Sequence, residues 1–308
     1  MKVYVEPVGL HSTAMKRIAK ALRLTAPSHV EIVRNNIEDA DLVVFYPVGY
    51  DWAERFTECL SRGQQYAVVQ CCLKTSGADA VMWLPWWGKA KVVWSYLDLV
   101  RESTCDFQWS FKNSSLIDDL TTKFYYAPLG VDSSVFFDRI GARGRNILTT
   151  GYVSGRPAEA IKESWQAANR TGREVVHIGS FPQGIEENEL PTSICWSVCL
   201  NQTDVYLAER YSVAQFVSSL RYVEGFELPA AEGLCCGAQP VLFDQPDLQH
   251  WYGDLAVYVP ELEGNELVDK LVEVFNSSRP VTKDERQTAK ERFDWTKICA
   301  GFWERVLS

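Results

Sequence analysis

No stretch of this chain approaches the ~18 continuous apolar residues that a membrane-spanning helix needs, so no transmembrane helix is expected. Nor is a secretory leader expected. The opening MKVYVEPVG carries one Lys and then a short alternating strand, without an apolar run or a small-residue cleavage site. Positive charge is in deficit: 31 Lys and Arg face 40 Asp and Glu, for a net charge of −9. Proteins that grip phosphate backbones usually show a basic balance or stripe, so nucleic acid is disfavoured as an obligatory partner. The nine cysteines lack a zinc pattern, because Cys195 and Cys199 have no second ligand pair. Cys71–Cys72 and Cys235–Cys236 are vicinal, a spacing that bridges poorly, and several cysteines sit in apolar runs as small core residues. A reducing, cytoplasmic setting is expected. There is neither an internal repeat nor a low-complexity tract.

What is present suits two ordinary globular domains. A length of 308 residues corresponds to about two domains of roughly 150 each. With 46% hydrophobic and 23% charged residues, the chain can bury a sizeable core. The first half reads as strands at Lys2–Glu6, Val30–Val33, Asp41–Tyr46, Tyr66–Gln70 and Val92–Tyr96. A helix spans Thr13–Leu24, with Met15, Ile18 and Leu22 on one face. The second half gives strands at Asn146–Thr150, Glu174–Ile178, Val213–Val217, Gln239–Phe243 and Ala256–Val259. Helices are predicted over Pro157–Arg170, around Glu232–Cys236, over Glu266–Asn276 and through Lys283–Leu307. Short β-rich apolar runs alternating with helices indicate parallel sheets covered on both faces. Pro128, Gly130 and the stretch at 139–144 read as the junction, giving domains 1–140 and 141–308. Ligands of such domains sit at the carboxyl ends of the strands.

The most informative segment is Glu224–Pro240, EGFELPAAEGLCCGAQP. Gly225 permits a tight turn and close approach to a ligand. Pro229 suits the first turn of a helix, where its missing N–H costs nothing. Amides around Phe226–Ala231 then point from a helix N-terminus, a seat for phosphate or electron-rich hydroxyls. Glu224 just before the helix and Glu232 in its first turn bring two carboxylates to that volume. By itself, a pair of glutamates near a helix start is an ordinary solvated cap.

With GFxLP between the acids and a CGxxPV pattern after them, the segment resembles the signature of retaining, glycogen-synthase-like glycosyltransferases of the GT-B fold, EGFGLPxxEAxxxGxPV. YAPLGVDSSVF at Tyr126–Phe136 is similar to the family's PxGVDxxxF junction, and YSVAQFVSS at Tyr211–Ser219 to its buried strand before the Glu motif. FDWTKICAGFWERVL resembles the closing helix that packs back towards the N-terminal domain. The likeness covers residues 126–308 well and residues 1–125 by general pattern.

The resemblance implies an α/β fold of two Rossmann-like, doubly wound domains facing across a cleft. It also implies a metal-independent transferase that moves a sugar from a nucleotide diphosphate donor to an acceptor hydroxyl with retention. The donor is a co-substrate and no other cofactor is implied. Glu224 would approach the transferred sugar, amides of Gly225, Phe226, Glu227 and Leu228 would hold sugar or phosphate, and Glu232 would bind the ribose. Glu227 stands where the family has Gly, so it either contacts the sugar or turns away. The family's basic pair for the leaving diphosphate maps to Arg156 and Lys162 with a shift, and Arg221 is an outside candidate. In the first domain the Val8–Ser12 turn lies where the family has a Gly-rich loop over the sugar–phosphate junction, which makes Gly9 and His11 candidates there.

The family's sugar-site His is absent from VVQCCLKTSG, leaving Gln70, Lys74 or Thr75 to face the cleft. Lys16, Arg17, Lys20 and Arg23 form a basic helix face and WLPWW (Trp83–Trp87) an aromatic cluster. The first reads as a solvated face or an anion-facing surface, the second as core packing or an acceptor platform. Two other readings stay open: a catalytically degenerate GT-B binding protein, and a phage-type transferase acting on modified DNA bases or a virion protein.

Overall fold

The computed structural model describes residues 1–6, 13–34, 36–46, 52–70, 86–97, 123–141, 143–151, 159–179, 194–197, 202–222, 225–277 and 279–308. Along the chain run β1 (Lys2–Val5), α1 (Thr13–Leu24), β2 (Glu31–Val33), β3 (Leu42–Phe45), α2 (Trp52–Ser61), β4 (Gln65–Gln70), β5 (Val93–Ser95) and β6 (Phe124–Tyr126). There follow β7 (Asn146–Gly151), α3 (Ile161–Arg170), β8 (Glu174–Gly179), β9 (Ile194–Ser197), α4 (Asp204–Val213), β10 (Ala214–Ser218) and α5 (Leu228–Cys236). The chain ends with β11 (Gln239–Phe243), α6 (Pro246–Tyr252), β12 (Val257–Val259), α7 (Gly264–Ser277), α8 (Lys283–Arg292) and α9 (Trp295–Leu307).

Two compact units result: Met1–Gly130 with Trp295–Ser308, and Val131–Asp294. The first holds a parallel sheet in the order β2-β1-β3-β4-β5-β6. All four residues of β3 are buried, as expected of a strand covered on both faces. Phe45, Phe56 and Tyr66 pack edge to face beside it, at ring separations of 4.7–6.2 Å. At the end of this unit α9 closes against α1 and β6, where the Tyr125 hydroxyl donates to the Ile298 carbonyl (2.7 Å).

The second unit has the parallel order β12-β11-β10-β7-β8-β9. Renumbered within the unit this is 3-2-1-4-5-6 in type, the doubly wound arrangement whose switch point lies where the order reverses, here between β7 and β10. Phe216 of β10 registers with Ile147 of β7. Beneath them Trp165, Phe243, Leu271 and Phe275 form a buried core.

The unit boundary falls at 130/131, not 140/141, and the chain crosses back at 294/295. Residues 131–143 are tied into the second unit: Asp138 pairs with Arg143 (2.8 Å) and Arg286 (2.9 Å), and the Arg139 amide donates to Ser212 Oγ. The continuous helix expected over Lys283–Leu307 is broken at Phe293–Asp294. The Val131 N–H donates to the Phe293 carbonyl (2.7 Å), and Val131 bridges Asp294, so this backbone is spent on a strand-like contact instead of the next helical turn. Next to it, a Cβ on Gly130 would run into Trp295 Cα and Cβ, which explains the glycine of the PLGVD segment. Two further shifts concern the site. The strand before the Glu motif is Ala214–Ser218, with Val213 still helical, and α3 starts at Ile161 because Glu159 is held in a bridge to Arg221.

Candidate functional site

In the second unit α5 is apolar on nearly every side, and all its residues but Pro229 are buried. It therefore sits inside the unit, packed on β10, β11, α4 and α8. Gly233 lets it approach β10 closely, since a Cβ there would meet Val217 Cγ2 at 2.5 Å. This brings the N-terminus of α5 to the carboxyl-end side of β10, beside the switch point.

Both ends of α5 are electrostatically ordered. At the C-terminus Arg143 donates to the carbonyls of Cys236 (2.6 Å) and Gly237 (3.1 Å), placing a cation at the negative pole. At the N-terminus Glu227 is the cap residue, yet its side chain makes no capping bond, and Pro229 occupies the first turn. The Tyr252 hydroxyl donates to the Glu227 carbonyl. Complete burial, reinforced by the neighbouring Glu227, raises the Tyr252 pKa well above the usual range and keeps that donor protonated. Phe226 stacks on Tyr252 (centroids 5.6 Å, 20° between planes) and meets Phe293 edge-on. Its ring is core, so only its main chain can serve a ligand.

Glu232 is the fifth residue of α5, in the second turn rather than the first, because the helix begins one residue before Pro229. Its side chain lies inside the unit, 2% exposed. Glu227 is equally buried and pairs with Arg221, whose Nε lies 3.2 Å from Glu227 Oε1. The other end of the same guanidinium, Nη2, lies 2.7 Å from Glu159 Oε1. Arg221 thus joins the entry of α3 to the entry of α5 across the switch point.

Beside this triad lies a small recess lined by Thr150, Ser218, Ser219, Glu159, Arg221 and Glu227, among others. Ser218 Oγ hydrogen-bonds Ser164 Oγ (2.8 Å). Beneath it, Thr149 Oγ1 accepts from Trp165 Nε1 (3.1 Å) and contacts His177 Nδ1 (2.9 Å). Sequence reasoning does not find Glu159 or Ser219. Glu159 lies far from Arg221 in the chain and Ser219 reads as the end of a buried strand, so no local signal marks either.

Of the other candidates, Glu224, Arg156, Gly9, His11, Lys74, Thr75 and Trp83 lie outside the described residues. Gly225 and Leu228 are buried, and Lys162 sits in the first turn of α3, half-buried, but does not line the recess. In the first unit the order β2-β1-β3 puts the switch point between β1 and β3, where Glu6 and Tyr46 follow the strand ends and are buried. Gln70, wholly buried, accepts from Trp87 Nε1 (3.1 Å). Trp87 packs edge-on to Phe124 and Trp86 lies over Phe56 at 3.9 Å, both belonging to the core of that unit. On α1, Arg23 donates to the Val5 carbonyl (2.7 Å) and Lys20 lies 5.9 Å from the Trp295 ring centroid.

Cys59, Cys235, Cys236 and Cys299 are buried thiols that belong to no disulfide, and burial pushes the Cys235 thiol up to about 12. Among the described residues no three His, Cys, Asp or Glu side chains group as metal ligands, and no helix is long and apolar enough to cross a membrane.

No family model matches the chain, and no curated protein matches it by sequence. Solved structures do match in shape. Sucrose-phosphate synthase from Thermosynechococcus elongatus superposes with a TM-score of 0.71 at 14% identity, covering 98% of this chain and 97% of that one. HepE of Anabaena, in complex with UDP and glucose, gives 0.71 at 12% identity over 99% of both chains. The lipopolysaccharide outer core galactosyltransferase WaaB gives 0.63 at 11% identity over 100% and 99%. Identities this low speak to architecture alone. Two parallel six-stranded sheets, matched end to end by these enzymes, make this a GT-B fold.

Proposed function

We propose that this chain is a glycosyltransferase whose donor, a nucleotide diphosphate sugar, binds the second unit at the N-terminus of α5. The observation that carries the reading is the placement of residues 225–232, GFELPAAE. Its helix start lies beside the β7–β10 switch point, with Glu227 and Glu232 buried within the unit. A helix N-terminus there offers main-chain N–H groups and a positive pole to a diphosphate. HepE holds UDP and glucose on the same fold, which supports this class of donor.

In this scheme the amides from Gly225 to Leu228 face the diphosphate and sugar, Glu232 takes the ribose hydroxyls, and Glu224 lies against the transferred sugar. Arg156 or Lys162 neutralises the departing diphosphate. The sugar's anomeric carbon acquires positive character as the phosphate leaves. The acceptor hydroxyl attacks from that same face, giving up its proton to the leaving phosphate, so configuration is retained. No side chain forms a covalent intermediate, and no metal or further cofactor takes part.

A thermal-shift screen of nucleoside diphosphates and nucleotide sugars tests the donor class. At a hundred times its Kd a ligand of the folded state adds about 2.7 kcal/mol. That corresponds to a rise in Tm of about 5–10 °C for a domain of this size. One nucleotide and its sugar conjugate should shift the transition while the others do not. A flat response across the whole panel would refute the proposal.

A further inference from the structure

One group in the second unit has no part in that scheme. Ser219 comes directly after β10 and is 5% exposed, and its Oγ has no hydrogen-bond partner among the described residues. A buried hydroxyl without a partner is costly, so such a group points to something that completes it. Ser219 lines the recess beside Arg221, whose volume of about 10 Å³ holds roughly one oxygen atom.

The chemistry of the walls selects the kind of oxygen. Glu159 and Glu227 bring two carboxyl groups to the recess and Arg221 brings one guanidinium, already engaged by both. Lys162 is not part of the lining. An incoming phosphate oxygen would meet an excess of carboxyl groups at close range, which Coulomb repulsion disfavours. A neutral hydroxyl instead can donate to a carboxylate and still exchange a hydrogen bond with Ser219 Oγ.

We propose that this recess receives one hydroxyl of the donor sugar and that Ser219 is a sugar-positioning residue, distinct from the amides that hold the diphosphate. The proposal rests on the nucleotide-sugar reading of the second unit. It also gives Glu227 a role in place of the family's glycine: its carboxyl group forms one wall of a hydroxyl pocket.

Calorimetric titration of the full chain with matched pairs (UDP and UDP-glucose, ADP and ADP-glucose, GDP and GDP-mannose) tests it. For the pair that wild type binds, Ser219→Ala should weaken the nucleotide sugar by about 5- to 10-fold. The bare nucleotide should stay within about 2-fold of wild type, because it has no group to place in the recess. Ser219→Thr keeps the hydroxyl but adds a methyl to a space for one oxygen, and should weaken the same ligand selectively. Equal weakening of both members by Ser219→Ala would make the recess an oxyanion site, and no change in either would leave it without a ligand role; each result overturns the proposal. If wild type binds no member of any pair, the nucleotide-sugar reading itself falls and takes this one with it.

Discussion

Replacing Glu224 by Ala lowers sugar transfer by about 100- to 1,000-fold, the range for losing one group aimed at charge that develops in a transition state. The melting temperature and the Kd for the nucleoside diphosphate stay at wild-type values. Residues on the C-terminal side of Glu224 account for that stability. Gly225 is buried, Phe226 is clamped between Tyr252 and Phe293, and the Glu227 carbonyl accepts from Tyr252. These contacts anchor the start of α5 without calling on the side chain at 224. In the proposed scheme that carboxylate faces the sugar as positive charge grows at its anomeric carbon, an interaction stronger in the transition state than in the bound donor. Its loss therefore appears in kcat and not in donor affinity. An alanine variant with unimpaired turnover refutes the assignment.

The second large effect is on stability. Arg221→Ala lowers the unfolding free energy of the second unit by about 2–3 kcal/mol, below the ~3–5 typical of a fully buried pair because Arg221 is itself 29% exposed. The corresponding fall in Tm is about 5–10 °C by thermal denaturation. The physical cause is Glu227, 2% exposed, which loses the guanidinium facing it. Arg221→Lys is intermediate: one ammonium cannot reproduce a planar fork whose Nε serves Glu227 while Nη2 serves Glu159. The test of cause is the double variant. Adding Glu227→Gln to Arg221→Ala should recover part of the loss, whereas strictly additive losses would show that the triad is not coupled.

How much of the fold and site is legible in the sequence depends on how local each determinant is. The strands of the second unit stand out because a parallel sheet buried on both faces requires continuous β-rich runs, as in QPVLF of β11. The start of α5 is readable for a similar reason: Pro229 and Gly225 act through their own backbones. Where a distant residue decides, the sequence is silent. Helices α8 and α9 read as one because neither Pro nor Gly stands at the Phe293–Asp294 junction to mark a stop, and only the Val131 N–H bonded to the Phe293 carbonyl reveals the break. Helix α3 reads as starting too early because its entry is fixed by the bridge between Glu159 and Arg221, two residues with nothing to link them along the chain. The placement of Glu232 in the second turn reflects a helix that begins at Leu228, a matter of one residue that propensity does not resolve. Trp86 and Trp87 illustrate the opposite case. An aromatic cluster is equally compatible with a platform and a core, and the choice is made by Phe56 and Phe124, which reach them from other elements.

The central claim is that the helix start at residues 225–232 is the seat of an activated sugar donor. Crystals of the protein soaked with the nucleotide sugar that stabilises it test this by direct observation of the bound ligand. The diphosphate should lie against the main-chain amides between Gly225 and Leu228, with the ribose at Glu232. A nucleotide found at any other place, with that helix start untouched, would contradict the account.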